Sequence, residues 1–210
     1  MIMGFSSSPV RGGNVDRMVT ALLERSGKEY EFYNLNDLSF GPCMACPDLC
    51  APDNFCKLED DLEPLYPRIA EAEALVLGTP SYFNGANSLM AMFLERLWSF
   101  RHNRFPLEGK PFAVVSSAGF RKPEGPIEAV RRRMEAYRAG FIGSVGFLSE
   151  IAPCYSCGYG LTCRVGSLWR VYGEEGLERL RKGECLFSRW EESPDVVVEI
   201  EGLGEKLASL

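Results

Sequence analysis

Ala74-Leu75-Val76-Leu77-Gly78-Thr79-Pro80-Ser81-Tyr82-Phe83-Asn84-Gly85 is the stretch that decides the fold. Its first five residues form an unbroken apolar run, which suits a strand covered on both faces. A short polar and aromatic turn follows, and then Asn87 to Phe100, where Leu89, Met92, Phe93, Arg96 and Leu97 mark a helical period. Strand, short loop and helix in that order make half of a βαβ unit. Working outward, residues 1–5, 29–35, 111–117 and 141–148 also read as strands. Helical patterns occupy 14–26, 60–71, 124–137 and 174–182, and Asn14 is placed to cap the first of them. Such alternation predicts right-handed crossovers and a doubly wound, five-stranded parallel sheet. Residues 1–150 are expected to form this domain, and 151–210 a cysteine-rich C-terminal extension with a further strand-like run at 196–200. Ligands in these sheets bind beyond the carboxyl ends of the strands, so the loops after the first, third and fourth strands matter most.

Composition narrows the function. The 210 residues are 46% hydrophobic and 25% charged, enough to bury a core, and the formal net charge is −6. That balance argues against a nucleic-acid partner. The one basic cluster, Arg131-Arg132-Arg133, fits the solvated face of a helix. No apolar stretch reaches membrane-spanning length, and the N-terminus runs directly into a polar turn, so a cytoplasmic protein without a membrane partner is expected. In a reducing compartment, eight cysteines favour metal ligation or catalysis over disulfides. With His102 the sole histidine, any metal site must be built mainly from thiolates.

The loop after the first strand is Ser6-Ser7-Ser8-Pro9-Val10-Arg11-Gly12-Gly13-Asn14. Hydroxyls, glycine amides and a helix N-terminus can surround a phosphate, although the same residues also make a solvated, capped turn. Neither the P-loop nor the dinucleotide fingerprint is present. In the loop after the third strand, a flat aromatic ligand would find backbone donors and rings, and the same aromatics could instead serve the core.

Cys43, Cys46, Cys50 and Cys56 are spaced C-x₂-C-x₃-C-x₅-C within residues 42–57. One short loop can wrap a cubane iron–sulfur cluster, each thiolate reaching its own iron. Zinc sites more often pair two separated C-x₂-C knuckles, and unmetallated thiols are a further reading. Cys154, Cys157 and Cys163 form a second group, with Cys185 farther on. Either a second metal site or a cap of free thiols fits that segment.

In this order the three loops resemble the NAD(P)H-dependent FMN reductase superfamily, and within it the iron-sulfur flavoprotein branch. The family loop S-G-S-P-R-x-G-G-N-T matches Ser6 to Val15, G-[ST]-P-x-Y-F matches Gly78 to Phe83, and a compact cysteine motif followed by two aspartates matches Cys43 to Cys56 and Asp60-Asp61. Val10 stands where the family has arginine, Val15 where it has threonine, and the second cysteine gap is one residue longer. The resemblance covers roughly residues 1–120. It implies a flavodoxin-like fold, with the FMN phosphate held by Ser6, Ser8, Arg11 and Asn14 and flanked by Gly13 and Val15. The isoalloxazine ring would lie against Pro80, Ser81, Tyr82, Phe83, Asn84 and Gly85, with Ser117, Ala118 and Gly119 completing the site. The same resemblance implies a [4Fe-4S] cluster on the first cysteine group and NAD(P)H as a donor. It also implies a small-molecule or protein redox partner, and a homodimer or homotetramer that brings one subunit's cluster near another's flavin. The expected activity is electron transfer between FMN and the cluster. A cluster-free NAD(P)H:FMN or quinone reductase with structural or zinc-binding cysteines is an alternative, as is a non-catalytic, metal-stapled binding module.

Overall fold

The computed structural model describes residues 1–119, 121–149, 157–184 and 188–210. Five strands, β1 (Ile2–Ser6), β2 (Tyr30–Asn34), β3 (Ala74–Tyr82), β5 (Pro111–Ala118) and β6 (Gly140–Leu148), form a parallel sheet in the order β2-β1-β3-β5-β6. The two-residue β4 (Gly85–Ala86) folds back antiparallel on β3. This is the flavodoxin-like strand order, with its switch point between β1 and β3.

Side-chain alternation along the central strands divides the interior into two cores. Leu75 and Leu77 of β3, with Phe112 and Val114 of β5, face one layer. That layer contains α3 (Leu65–Glu71), α4 (Ser88–Arg96) and α5 (Glu124–Glu135). Ala74 and Val76, with Ala113 and Val115, face α1 (Asn14–Arg25) and α7 (Pro194–Ala208) on the other side. A strand whose neighbours alternate between two cores has to be apolar throughout, which accounts for the run at Ala74–Gly78. Gly78 carries no Cβ because one there would sit 2.5 Å from Val19 Cγ2 and 2.8 Å from Val15 Cγ1. Bare backbone in the middle of β3 thus lets the first two turns of α1 lie against the sheet.

Three expectations need correction. The run at 196–200 is helical, not a strand. Pro194 opens α7, Asp195 sits in its first turn, and Ile200, Leu203, Gly204 and Leu207 bury one helical stripe. Burial at spacings of three and four outweighs the β preference of three consecutive valines. Asn14 does not cap α1 with its side chain; Gly13 is the N-cap, and the Asn14 amide donates instead to Ser188 O at 3.0 Å. The helix expected from Asp60 begins only at Leu65, because the Asp60 carboxylate is drawn away to Leu62 N and Arg96.

The charged pattern at 174–182 lies within α6 (Ser167–Arg181), which is broken at Gly173 (φ +56°) and buries Leu168 and Leu177 in a small separate cluster. The basic cluster is solvated and ion-paired: Arg131 reaches Glu128 and Glu135, and Arg132 reaches Glu128. Among the described residues, no helix is long and apolar enough to cross a membrane.

Candidate functional site

The loop after β1 leaves the sheet at its carboxyl edge and turns into the N-terminus of α1. Ser6, Ser7 and Ser8 are all buried. Asp16, in the first turn of α1, accepts hydrogen bonds from Ser6 Oγ at 2.5 Å, Gly12 N at 2.9 Å and Asn34 Nδ2 at 3.1 Å. Asn34 and Asn36 donate their side-chain amides to Ser8 O, and Asn87 donates to Ser7 O at 2.7 Å. The loop is therefore fastened from α1, from the end of β2 and from the start of α4. These four residues were not singled out from the sequence. The signal for Asn34 and Asn36 was their place at a strand's carboxyl end, next to the switch point.

Of the residues expected at the phosphate, Gly13 and Val15 lie at the helix start and Ser8 Oγ stays local, donating to Val10 O. Arg11 points outward to Asp37, at 2.6 Å with both side chains exposed. The Asn14 side chain ties α1 to the C-terminal segment, accepting from Trp190 N at 3.2 Å and donating to Ser188 O. Each serine hydroxyl already donates within the protein, Ser6 to Asp16, Ser7 to Gly78 O and Ser8 to Val10 O, so what the loop offers an anion is the positive end of α1.

Beyond β3, Ser81 pairs with Ala86 and Tyr82 with Gly85, leaving Phe83 and Asn84 as a two-residue turn. Both have positive φ, +50° and +60°, as a type I′ hairpin requires. Asparagine tolerates that conformation; phenylalanine does so at a cost. Phe83 is fully exposed and Tyr82 half-exposed. The turn is held by Gly125 at the start of α5, where a Cβ would lie 2.1 Å from Asn84 O. Ser81, Phe83 and Asn84 share a cavity of about 290 Å³ with Ala118, Gly119 and Arg121. The loops after β3 and β5 are therefore brought together as expected, and Arg121 is an addition. Pro80 and Ser117 are register partners at the strand ends just behind them.

The cysteine loop forms a second site. Cys43, Cys46, Cys50 and Cys56 line one cavity of about 510 Å³ together with Arg96, Ser99 and His102. Cys50 ends the one-turn helix α2 (Pro47–Cys50), and its Sγ lies 3.1 Å from His102 Nε2. Burial pushes the Cys50 thiol up, and Cys46 and Cys56 push it further. Among the described residues, no three His, Cys, Asp or Glu side chains are grouped to hold a single metal ion. In the second cysteine group, Cys157 is exposed and Cys163 Sγ accepts from Gly166 N at 3.0 Å. Cys154 and Cys185 lie outside the described residues.

The model of the NADPH-dependent FMN reductase family matches residues 1–152. An iron-sulfur flavoprotein of Archaeoglobus fulgidus is 27% identical over 209 residues, 98% of this chain and 85% of its own. Another, from Methanocaldococcus jannaschii, is 32% identical over 98 residues, 45% of this chain and only half of its own length. Among solved structures, an NADH:FMN oxidoreductase in its apo form aligns with 99% of this chain and 87% of its own at a TM-score of 0.55 and 14% identity, a likeness of fold. Strand order, the two loops at the switch point and the match across residues 1–152 agree: the chain belongs to the NADPH-dependent FMN reductase family, a family of FMN-dependent oxidoreductases.

Proposed function

We propose that this protein is an FMN-dependent oxidoreductase that passes electrons between FMN and a [4Fe-4S] cluster held by Cys43, Cys46, Cys50 and Cys56. The observation that carries the reading is the convergence of all four loop cysteines on one cavity. Zinc would draw four sulfurs to within about 3.8 Å of one another, given Zn–S bonds of about 2.3 Å in a tetrahedron. The four thiols line one cavity of about 510 Å³, which has room for a polynuclear centre in which each sulfur serves its own iron. Burial raises the Cys50 thiol and Cys46 and Cys56 raise it further, so bound iron would ease the gathering of four thiolates there. Two relatives are named iron-sulfur flavoproteins, which accords with a flavin and an iron–sulfur centre in one chain.

The residues divide the work by position. The β1–α1 loop, held rigid by Asp16, Asn34, Asn36 and Asn87, receives the phosphate. The Phe83–Asn84 turn and the Ala118–Gly119 segment receive the ring, and Phe83 provides an aromatic face with no neighbour to displace. FMN accepts electron pairs and releases them singly, which is what a one-electron cluster requires. NAD(P)H is the expected donor and a small molecule or protein the expected acceptor. Exposed Met44, Leu49 and Trp98 around the cysteine loop favour self-association as a homodimer or homotetramer.

The test is anaerobic purification followed by a visible spectrum and counts of FMN, iron and sulfide per chain. One FMN with about four iron and four sulfide is expected. FMN without iron would leave a simple flavin reductase, and absence of both would overturn the proposal.

A further inference from the structure

Behind the four cysteines stands a wall from another part of the chain. Arg96 ends α4, and a 3₁₀ turn (Leu97–Arg101) continues from it. Residues three apart on a 3₁₀ helix eclipse one another, so Arg96, Ser99 and His102 share one side, and all three line the cysteine cavity. Arg96 is 1% exposed and Ser99 3% exposed.

Arg96 is the hub of this wall. Its Nη1 donates to Gly41 O at 2.9 Å, just before Cys43, and to Asp60 Oδ2 at 2.5 Å, just after Cys56. Its Nη2 donates to Asp60 Oδ1 at 3.2 Å and to Cys56 Sγ at 3.4 Å. One guanidinium thus clasps the loop at both ends while touching a cysteine sulfur. Asp60 balances the charge of Arg96. Two buried polar atoms on the wall nevertheless have no partner among the described residues, Arg96 Nε and Ser99 Oγ. Leaving a buried donor unpaired costs about 1–3 kcal/mol, and two such atoms beside one cavity point to acceptors inside it. Sulfur anions are acceptors of that kind, and hydrogen bonds to them are among the main determinants of cluster potential.

Resting on the cluster reading above, we propose that Arg96 and Ser99 are positioning residues that donate hydrogen bonds to the sulfurs of the cluster and hold its reduction potential up. Each donor favours the more negative, reduced cluster over the oxidised one. Losing a donor therefore makes the centre harder to reduce.

The experiment compares the full-length holoprotein with its Ser99→Ala, Arg96→Lys and Arg96→Gln variants. Each is purified anaerobically, assayed for iron, sulfide and FMN, and titrated with redox dyes while the reduced cluster is followed by electron paramagnetic resonance. At the wild-type midpoint, Arg96→Gln should show an oxidised-to-reduced ratio raised about tenfold, equivalent to about 59 mV for one electron. Ser99→Ala should move about threefold in the same direction, and Arg96→Lys, which keeps the charge but loses the planar fork, should fall between wild type and Arg96→Gln. Should Arg96→Gln fail to retain iron, Ser99→Ala and Arg96→Lys decide. Fully loaded variants with an unmoved midpoint would overturn the proposal. An iron-free wild-type protein would instead remove the cluster reading on which it rests, and the iron count separates the two failures.

Discussion

Replacing Phe83 by asparagine should stabilise the protein without cofactor and weaken its hold on FMN. Phe83 has φ +50° and is fully exposed, so in the free chain its ring buries nothing to offset its backbone strain. A left-handed conformation costs an ordinary residue about 1–2 kcal/mol, and asparagine largely escapes that cost. The turn keeps its type I′ geometry, which accepts asparagine at either central position. The apoprotein should therefore gain about 1 kcal/mol, or about 2–4 °C in Tm for a chain of this size. The cofactor-bound state moves the other way. Covering one face of a phenylalanine contributes about half of the 1.5–3 kcal/mol for full burial, and ring stacking adds about 0.5–1.5 kcal/mol. FMN should then bind about 10- to 150-fold more weakly. Quenching of flavin fluorescence on titration into apoprotein gives the affinity, and thermal unfolding of the same sample gives the stability. An unchanged affinity together with a lower apoprotein Tm would refute both halves of the reasoning.

Asn87→Ala removes a helix cap, since its side chain accepts from Met90 N, and also the bond to Ser7 O. Thermal unfolding should show a loss of about 1–2 kcal/mol, and flavin titration a weaker complex; full FMN affinity in this variant would separate Asn87 from the phosphate loop. Leu207→Ala, at a fully buried position of α7, should cost about 2–5 kcal/mol in urea unfolding, and a change below 1 kcal/mol would mean that α7 is not part of the cooperative core. Glu73 is held at about 2, well below its ordinary value, by Lys28 and by the chain's amino terminus. A depressed carboxyl contributes stability above its unfolded pKa and loses it as pH falls toward the folded one, so stability should drop between about pH 4.5 and 2. Glu73→Gln should flatten that limb, and parallel urea-midpoint curves for the two proteins would count against the assignment.

How much of this could be read from the chain depended on whether a residue's partner was near in sequence. The Ala74–Gly78 run and the helices at 14–26 and 124–137 carry their burial pattern locally, and those elements are where they were expected, whereas α3 starts later and α6 earlier than its pattern suggested. The valines at 196–198 misled because β-branched preference is local, whereas the stripe made by Ile200, Leu203 and Leu207 matters only once α1 and β6 are there to cover it. Asn14 looked like a cap because caps are read over four residues, yet besides Arg17 its side chain bonds Ser188 and Trp190, 174 and 176 positions away. At the site, the glycines, serines and cysteines announced themselves as motifs, while Asp16, Asn34 and Asn87 did not, because each is ordinary until the switch point gathers them. Arg96 did leave a trace. It occupies a position on the apolar face of α4, where a cation has no place without a buried partner.

That helix explains how two distant loops come to serve one protein. Asn87 at one end of α4 grips the β1–α1 loop through Ser7 O, and Arg96 at the other grips the cysteine loop through Gly41, Cys56 and Asp60. Arg96 is nine residues along from Asn87, about 13.5 Å at 1.5 Å each. Met90, Phe93 and Leu94 bury the same segment in the core shared with β3 and β5, so its ends cannot move independently. The distance between the two candidate cofactor sites within one chain is therefore set by a packed helix, although the loops that form them are surface connections. A loop alone could place four cysteines near one another; only an anchor on a buried helix gives them a fixed position relative to the candidate FMN site.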